Sequence, residues 1–205
     1  MQKNHILKRL MAVSVAAAMF GAVGAQAQTT QPAGAAATAN SAAKLTAADR
    51  KAITDMGMSN MAEVEMGKLA QSKSQNAEVK AFATKMVDDH GKALTEVQAL
   101  AQSKGVTLPT ALDAKHKAMS DRLQKLTGDS FDKTYVKQGG VGAHKETLTK
   151  LQAASKGAKD PEVKAQVDKT IPVVQEHLKH AEQLAQGKSG STGSSGAAGH
   201  TGSSH

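Results

Sequence analysis

The sequence has no cysteine and no tryptophan, and its 205 residues include only three phenylalanines and one tyrosine. Without cysteine the chain cannot form a disulfide bond, an iron–sulfur cluster, a zinc–thiolate site or a thiol nucleophile. The shortage of aromatic residues argues against an all-β domain, because strands are enriched in aromatic and β-branched side chains. Alanine, lysine, glutamine, leucine and methionine are frequent instead, and these residues favour helices. The composition therefore predicts an all-α protein.

Residues 1–27 have the pattern of a secretory signal peptide. Lys3, Lys8 and Arg9 form a positive N-terminal region, an uncharged apolar stretch follows, and Ala25-Gln26-Ala27 supplies small residues before the predicted cleavage site. The apolar stretch is shorter than the ~20 residues of a membrane-spanning helix, and no cysteine follows it that could carry a lipid anchor. We therefore expect an exported protein, periplasmic or secreted, that is not a lipoprotein and has no transmembrane span after cleavage.

The rest of the chain divides by composition into a linker, one domain and a tail. Residues 28–45 are small and polar, which predicts a flexible linker, and the Gly/Ser-rich residues 188–205 predict a disordered tail. Capping residues, glycines and prolines divide residues 46–187 into helices predicted over 46–74, 76–105, 110–128, 129–157 and 160–187. Four of these are long and amphipathic, so we predict a ferritin-like, up-down four-helix bundle with one extra short helix.

Two positions should disturb the long helices. Pro172 lacks a backbone donor and should kink the last helix. Gly139-Gly140 is a weak point in the helix before it.

Polar side chains interrupt the apolar stripes of all four long helices. These candidate metal ligands are Glu65, Asp89, His90, His144 and His177. Ferritin-like bundles build metal sites from carboxylates and imidazoles that project inward, and such ligands suit a divalent ion of Fe, Mn or Zn. The Glu-x-x-His pairs of di-iron oxidases are absent from the sequence. Two interpretations stay open, a mononuclear metal centre and a buried polar network that fixes the packing of the bundle.

Copper is the less favoured metal at this stage. Four methionines crowd the first long helix, at positions 56, 58, 61 and 66. Thioethers bind Cu(I), but methionine also serves as a flexible filler of apolar cores.

Six segments, in order, resemble a bacterial family of exported proteins with a domain of unknown function, often labelled "predicted outer membrane protein". The segments are MAEVEMGKLA (61–70), KMVDDHGKAL (85–94), KGVTLPTALDAKH (104–116), GDSFDKTYV (128–136), VGAHKETL (141–148) and TIPVVQEHL (170–178). The positions that match the family's motifs are Glu65, Asp89, His90, Phe131, Asp132, His144, Pro172 and His177. The resemblance covers residues 47–186 and implies export and a ferritin-like fold, but it implies no established reaction.

Charge and motifs give little further indication of function. The formal net charge is +8, but lysines alternate with acidic residues along the helices, and no basic cluster or stacking aromatics indicate nucleic-acid binding. A weak association with an anionic envelope surface is compatible with this charge. No catalytic signature is present, so we expect an envelope accessory or stress-associated binding protein, with a periplasmic metal-binding or redox protein as the alternative. Imidazole nitrogens that converge within ~4–5 Å of a common point would favour the metal site, whereas imidazoles that each face a separate carboxylate or carbonyl would favour the structural network.

Overall fold

The computed structural model describes residues 45–187, so the predicted signal peptide, residues 28–44 of the predicted linker and the tail from residue 188 lie outside it. The elements are α1 (Ala47–Lys73), α2 (Ala77–Ser103), α3 (Ala114–Lys125), α4 (Gly128–Thr134), a π-helical segment (Tyr135–Gly142), α5 (Ala143–Gly157) and α6 (Pro161–Ala185). Helix α1 packs along α2, and the π-helical segment and α5 pack along α6. The short helix α3 lies against α1. The predicted all-α bundle of four long helical stretches with one extra short helix is confirmed.

The predicted capping residues begin three of the long helices. Thr46 and Asp49 form a reciprocal capping box at α1, in which the Asp49 backbone N–H donates to Thr46 Oγ1 over 3.1 Å. The side chains of Asn76 and Asp160 accept backbone N–H groups in the first turns of α2 and α6. These local signals need no tertiary contact, which explains why they are readable in the sequence.

Two helix starts were predicted wrongly. The short helix begins at Ala114 rather than at Thr110, because Asp113 is its cap and Leu112, just before it, packs against the core in a non-helical conformation. The next helix begins at Gly128, with Thr127 at the cap position, so Asp129 lies in its first turn and is not its cap. At the first boundary a second capping residue, Asp113, lies three residues after Thr110 and is the one that caps the helix.

The bundle interior contains two apolar clusters. The first is built around Phe82, Phe131 and Tyr135. The second is built around Ile53, Val97 and residues of α5 and α6. On α2, His90 lies between Met86 of the first cluster and Val97 of the second, and buried polar side chains occupy the same level on α1, α5 and α6. A polar layer therefore separates the two clusters, and it contains the candidate site.

None of the helices described here has a stretch long and apolar enough to cross a membrane. Helix α6 is assigned as one α-helix through Pro172, so the predicted kink at this residue stays a prediction.

The buried carboxylate of Asp49 joins the start of α1 to the connection between α5 and α6. Its Oδ1 accepts the backbone N–H groups of Lys159 over 2.8 Å and Asp160 over 3.2 Å. Burial acts to raise the pKa of Asp49, but hydrogen bonds from Thr46, Lys159 and Asp160 outweigh it and hold the pKa below its usual value. The ionised carboxylate is therefore the form that stabilises this junction.

We expect Asp49→Asn to lower the free energy of unfolding by about 1–2 kcal/mol at pH 7. A carboxylate whose pKa is lowered in the folded state adds stability above its unfolded-state pKa and loses it as the pH falls through the folded-state pKa. The difference from the wild type should therefore shrink below about pH 4. Urea denaturation of the wild type and the variant at pH 7 and pH 3 measures this difference in stability. Asp121→Asn, which removes a half-exposed carboxylate paired with Lys117, is the control and should change little at either pH.

Candidate metal centre

Three imidazoles from three helices meet in the polar layer. His90 on α2, His144 on α5 and His177 on α6 are 5%, 1% and 0% exposed. Their ring centroids are 5.1–5.6 Å apart, and one ring nitrogen from each lies within 4.8 Å of the others. The three sequence-predicted histidines therefore form one buried cluster.

Asn60 on α1 determines which nitrogen of His90 carries the proton. The Asn60 amide nitrogen donates to the carbonyl oxygen of Met56 over 2.9 Å, so its Oδ1 faces His90 Nδ1 at 2.8 Å. Because Oδ1 can only accept, His90 Nδ1 must be the donor. The other ring nitrogen, Nε2, then carries a lone pair.

The same reasoning applies to the other two histidines. His144 Nδ1 lies 2.7 Å from the carbonyl oxygen of Gly140, and His177 Nε2 lies 2.8 Å from Asp89 Oδ2. A carbonyl and a carboxylate can only accept, so both ring nitrogens donate. Lone pairs are left on His144 Nε2 and His177 Nδ1.

The three nitrogens that carry these lone pairs are buried and have no hydrogen-bond partner among residues 45–187. They are His90 Nε2, His144 Nε2 and His177 Nδ1. A buried polar atom without a partner costs about 1–3 kcal/mol, so three in one cluster are unusual for a purely structural network. Metal-binding histidines have this arrangement, in which one nitrogen donates to a carboxylate, carbonyl or amide and the other faces the ion.

Burial keeps the imidazoles neutral. It lowers the pKa of His144 to about 4, and it lowers the pKa of His90 well below its usual value, with further lowering by the charges that His144 and His177 would carry. Burial also lowers the pKa of His177, although the hydrogen bond to Asp89 opposes this effect. Neutral imidazole is the form that binds a metal ion.

A metal ion would require a small closure of the cluster. Three nitrogens at ~2.0–2.1 Å from one ion are ~3.3–3.6 Å apart, so nitrogens now up to 4.8 Å apart must approach by up to ~1.2–1.5 Å. The donor set therefore fits one transition-metal ion.

The predicted acidic ligands are placed differently from the histidines. Asp89 lies at the edge of the cluster and binds His177 and Lys85. Glu65 was predicted to point inward, and this prediction is wrong. Its side chain is exposed and accepts a hydrogen bond from Ser120 on α3, because α3 packs against this side of α1.

The buried acid of α1 beside the cluster is Glu63, which sequence reasoning missed together with Asn60. The Glu63 side chain is 6% exposed, and its Oε1 lies 3.8 Å from His144 Nδ1. Burial raises the pKa of Glu63 to about 8. A signal was present in the sequence, since Met56, Asn60, Glu63 and Met66 follow one another at helical spacing along a single stripe.

The π-helical segment brings His144 to the cluster. Its glycines allow close packing, since a Cβ atom at Gly140 would lie only 2.9 Å from Ala181 Cβ on α6. The carbonyl oxygen of Gly140 is the acceptor for His144. The weak point predicted at Gly139-Gly140 is thus an eight-residue π segment, a feature that often occurs at functional sites.

A groove between α2 and α6 leads from the surface to the cluster. It has a volume of about 210 Å³, and its lining includes Asn60, Asp89, His90 and His177. Lys85 lies beside it and binds Asp89 Oδ2 over 2.9 Å and Glu176 Oε1 over 3.4 Å. The groove gives two of the three imidazoles a route to solvent.

Solved structures with this fold include two types of helical protein. A DUF305 fragment from Deinococcus radiodurans has a TM-score of 0.62 and 12% identity, over 69% of this chain and 97% of that chain. CopM in the Cu(II)-bound form has a TM-score of 0.58 and 19% identity, over 68% of this chain and 96% of that chain. A putative secreted DUF305 protein from Streptomyces coelicolor has a TM-score of 0.56 and 13% identity, over 67% of this chain and 91% of that chain. At these identities the likeness is one of fold.

The sequence itself matches one family. No curated protein is similar to the chain. The DUF4142 family, described as a domain of unknown function, matches residues 34–184, which is most of the 205-residue chain. The predicted membership of a family with a domain of unknown function is therefore confirmed, and the chain belongs to the DUF4142 family.

Proposed function

We propose that this protein binds one transition-metal ion through His90, His144 and His177. The observation that carries the proposal is a cluster of three buried imidazoles, with one ring nitrogen of each within 4.8 Å of the others and one ring nitrogen of each without a hydrogen-bond partner in the described chain. The opposite nitrogen of each ring donates to a fixed acceptor, which fixes the tautomer and the orientation of the ring.

Copper is the metal that we favour. Within the described chain the group contains three imidazoles and no carboxylate, whereas manganese prefers oxygen ligands. Imidazole suits copper, zinc, iron and nickel, and copper(II) generally binds most strongly among the divalent ions of this series. CopM, which shares the fold, has Cu(II)-bound, Cu(I)-bound and Ag-bound forms. This likeness supports the ranking of copper above zinc and reverses the order given by the sequence alone.

We further propose that the protein sequesters the ion outside the cytoplasm. The N-terminal pattern supports a signal peptide over residues 1–27, followed by a linker to residue 45, a bundle domain over 46–187 and a tail over 188–205. The buried position of the three imidazoles suits retention of an ion rather than rapid turnover of a substrate. The role that follows is an accessory binding protein of the cell envelope.

Metal analysis and copper titration test this function directly. Untagged protein isolated from the periplasm should begin at Gln28 and bind close to one equivalent of copper(II) by isothermal titration calorimetry. The electron paramagnetic resonance spectrum of the complex should show nitrogen coupling. His144→Leu should weaken this binding at least about tenfold, because one of three ligands is lost.

His116→Leu is the matched control for the titration. His116 lies on α3, where its Nδ1 pairs with Asp113, and it is not part of the cluster. Equal copper affinity in wild type, His144→Leu and His116→Leu would contradict the proposed site. Copper bound only through the histidines outside residues 45–187 would give this result.

A further inference from the structure

A second cavity lies on the other side of the bundle, between α3, α1 and the stretch from the π segment into α5. Its volume is about 500 Å³, within the range of about 300–1,000 Å³ typical of small-molecule sites. It does not include any of the three clustered histidines in its lining. It is therefore a separate candidate site, and nothing in the proposed metal binding accounts for it.

The wall of this cavity has an apolar part and a cationic part. Met66, Met119 and Ala118 contribute apolar surface. Lys137 and Arg122 also line the cavity, and neither pairs with a carboxylate within residues 45–187; Arg122 Nη1 instead lies 3.3 Å from Gln138 Oε1. An apolar wall beside positive charges that lack carboxylate partners suits a ligand with an apolar body and an anionic group.

Two further cations at the cavity share one carboxylate. Lys115 and Lys150 both bind the carboxylate of Glu146, with a distance of 2.9 Å for Lys150 Nζ to Oε1. Lys137 and Arg122 are thus the lining cations that have no carboxylate partner within residues 45–187. These two exposed residues place the charge at the surface end of the cavity.

Glu63 also lines the cavity, and its position distinguishes the buried end of the cavity from the open end. Its side chain is 6% exposed, and its Oε2 is buried without a hydrogen-bond partner in the described chain. The buried side therefore offers no positive charge to an anion, whereas the exposed cations favour an anionic group at the opening. The ligand's anionic group should therefore lie near Lys137 and its apolar body deeper, against the methionines.

We propose that this cavity binds a small organic anion with an apolar body, such as an aromatic or medium-chain carboxylate. The cavity has the volume, the apolar wall, the cationic opening and the buried unpartnered carboxyl group of such a site. This binding is independent of the metal centre.

A pair of fluorescent probes tests the proposal on the full chain. Anilinonaphthalene sulfonate carries an aromatic body and a sulfonate, and N-phenyl-1-naphthylamine has a similar body without the charge. The sulfonate should bind with one-to-one stoichiometry and at least about tenfold more tightly than the uncharged amine. Equal affinities for the two probes would overturn the assignment of an anion site.

Two variants locate the binding. Lys137→Glu should weaken sulfonate binding about tenfold, while Lys68→Glu, which reverses an exposed lysine of α1 outside the cavity lining, should leave it unchanged. Ala118→Trp should fill the cavity and abolish binding of both probes. Circular dichroism and the Tm identify any variant that is unfolded. If Ala118→Trp does not fold, the comparison of Lys137→Glu with Lys68→Glu still tests the proposed site. The same affinity in those two variants would overturn the proposal.

A variant of the proposed metal site distinguishes metal binding from anion binding. His144→Leu should bind the sulfonate as the wild type does, because His144 does not line this cavity. A protein that binds copper but not the sulfonate retains the metal centre and loses the second site. The opposite result retains the second site alone.

Discussion

Copper(II) at about one hundred times its dissociation constant is expected to stabilise the folded protein by about 2.7 kcal/mol, because an ion that binds only the folded state shifts the unfolding equilibrium by mass action. For a domain of this size, that corresponds to a rise in Tm of roughly 10 °C. Differential scanning calorimetry of the protein after chelator treatment, with and without the ion, measures the change.

His144→Leu should abolish this rise while leaving the metal-free protein within about 1 kcal/mol of the wild type. The substitution removes the hydrogen bond from His144 Nδ1 to Gly140, but it also removes a buried nitrogen that has no partner in the described chain. His116→Leu should retain the full response to copper. If the cluster were only a structural network, His144→Leu would destabilise the metal-free protein strongly and the wild type would not respond to copper.

Gly140→Ala is expected to destabilise the protein by about 1–3 kcal/mol, since the new methyl group has no room. A Cβ atom at this position would lie 2.9 Å from Ala181 Cβ and 3.5 Å from the ring of Phe82. The π segment and α6 must then move apart. Because His144 follows Gly140 by one turn and His177 precedes Ala181 by one turn, the same movement separates two of the proposed ligands. Copper affinity should fall along with stability.

Gly142→Ala is the matched control for this substitution. Gly142 lies in the same π segment, and a Cβ atom there would make only ordinary contact, at 3.4 Å from the carbonyl oxygen of Lys137. Alanine is the better helix former by about 1 kcal/mol, so this variant should be at least as stable as the wild type. Urea denaturation and copper titration of both variants provide the comparison. A loss of stability in Gly142→Ala as large as in Gly140→Ala would mean that the contact with Ala181 is not the cause.

The parts of the fold that depend on local chemistry were predictable from the sequence. Thr46, Asn76 and Asp160 each offer a side-chain acceptor to the first turn of a helix, and that preference acts within a few residues. The three histidines were also identified, because each interrupts a strong apolar stripe on its own helix. Their convergence depends on how three helices are arranged. The apolar stripe of a single helix gives no information about that arrangement.

The acidic side chains were harder to place, and the reason lies in the composition of α1. Alanine, glycine, methionine and short polar residues alternate along this helix, so several stripes look equally apolar. The stripe through Glu65 predicts an inward acid at this position, but Glu65 lies at the surface beside α3, whereas Glu63 lies inside against His144 of α5. Which of these two acids is buried depends on how α1 is rotated against α5, and that is a tertiary property.

The π segment determines the directions in which the side chains of α5 point. Each hydrogen bond of a π turn spans one more residue than a hydrogen bond of an α turn. The segment therefore accommodates additional chain within a continuous helical stretch. Each residue of an α-helix advances the side-chain direction by about 100°, since one turn contains 3.6 residues. If one residue between Tyr135 and Gly142 were deleted, the stretch could form a regular α-helix. Helix α5 would then have to rotate by about 100° or shift along its axis. His144 would then leave the polar layer, and Leu151 would leave the second apolar cluster. The length of this segment, as much as the identity of His144, therefore determines whether the third imidazole reaches the other two.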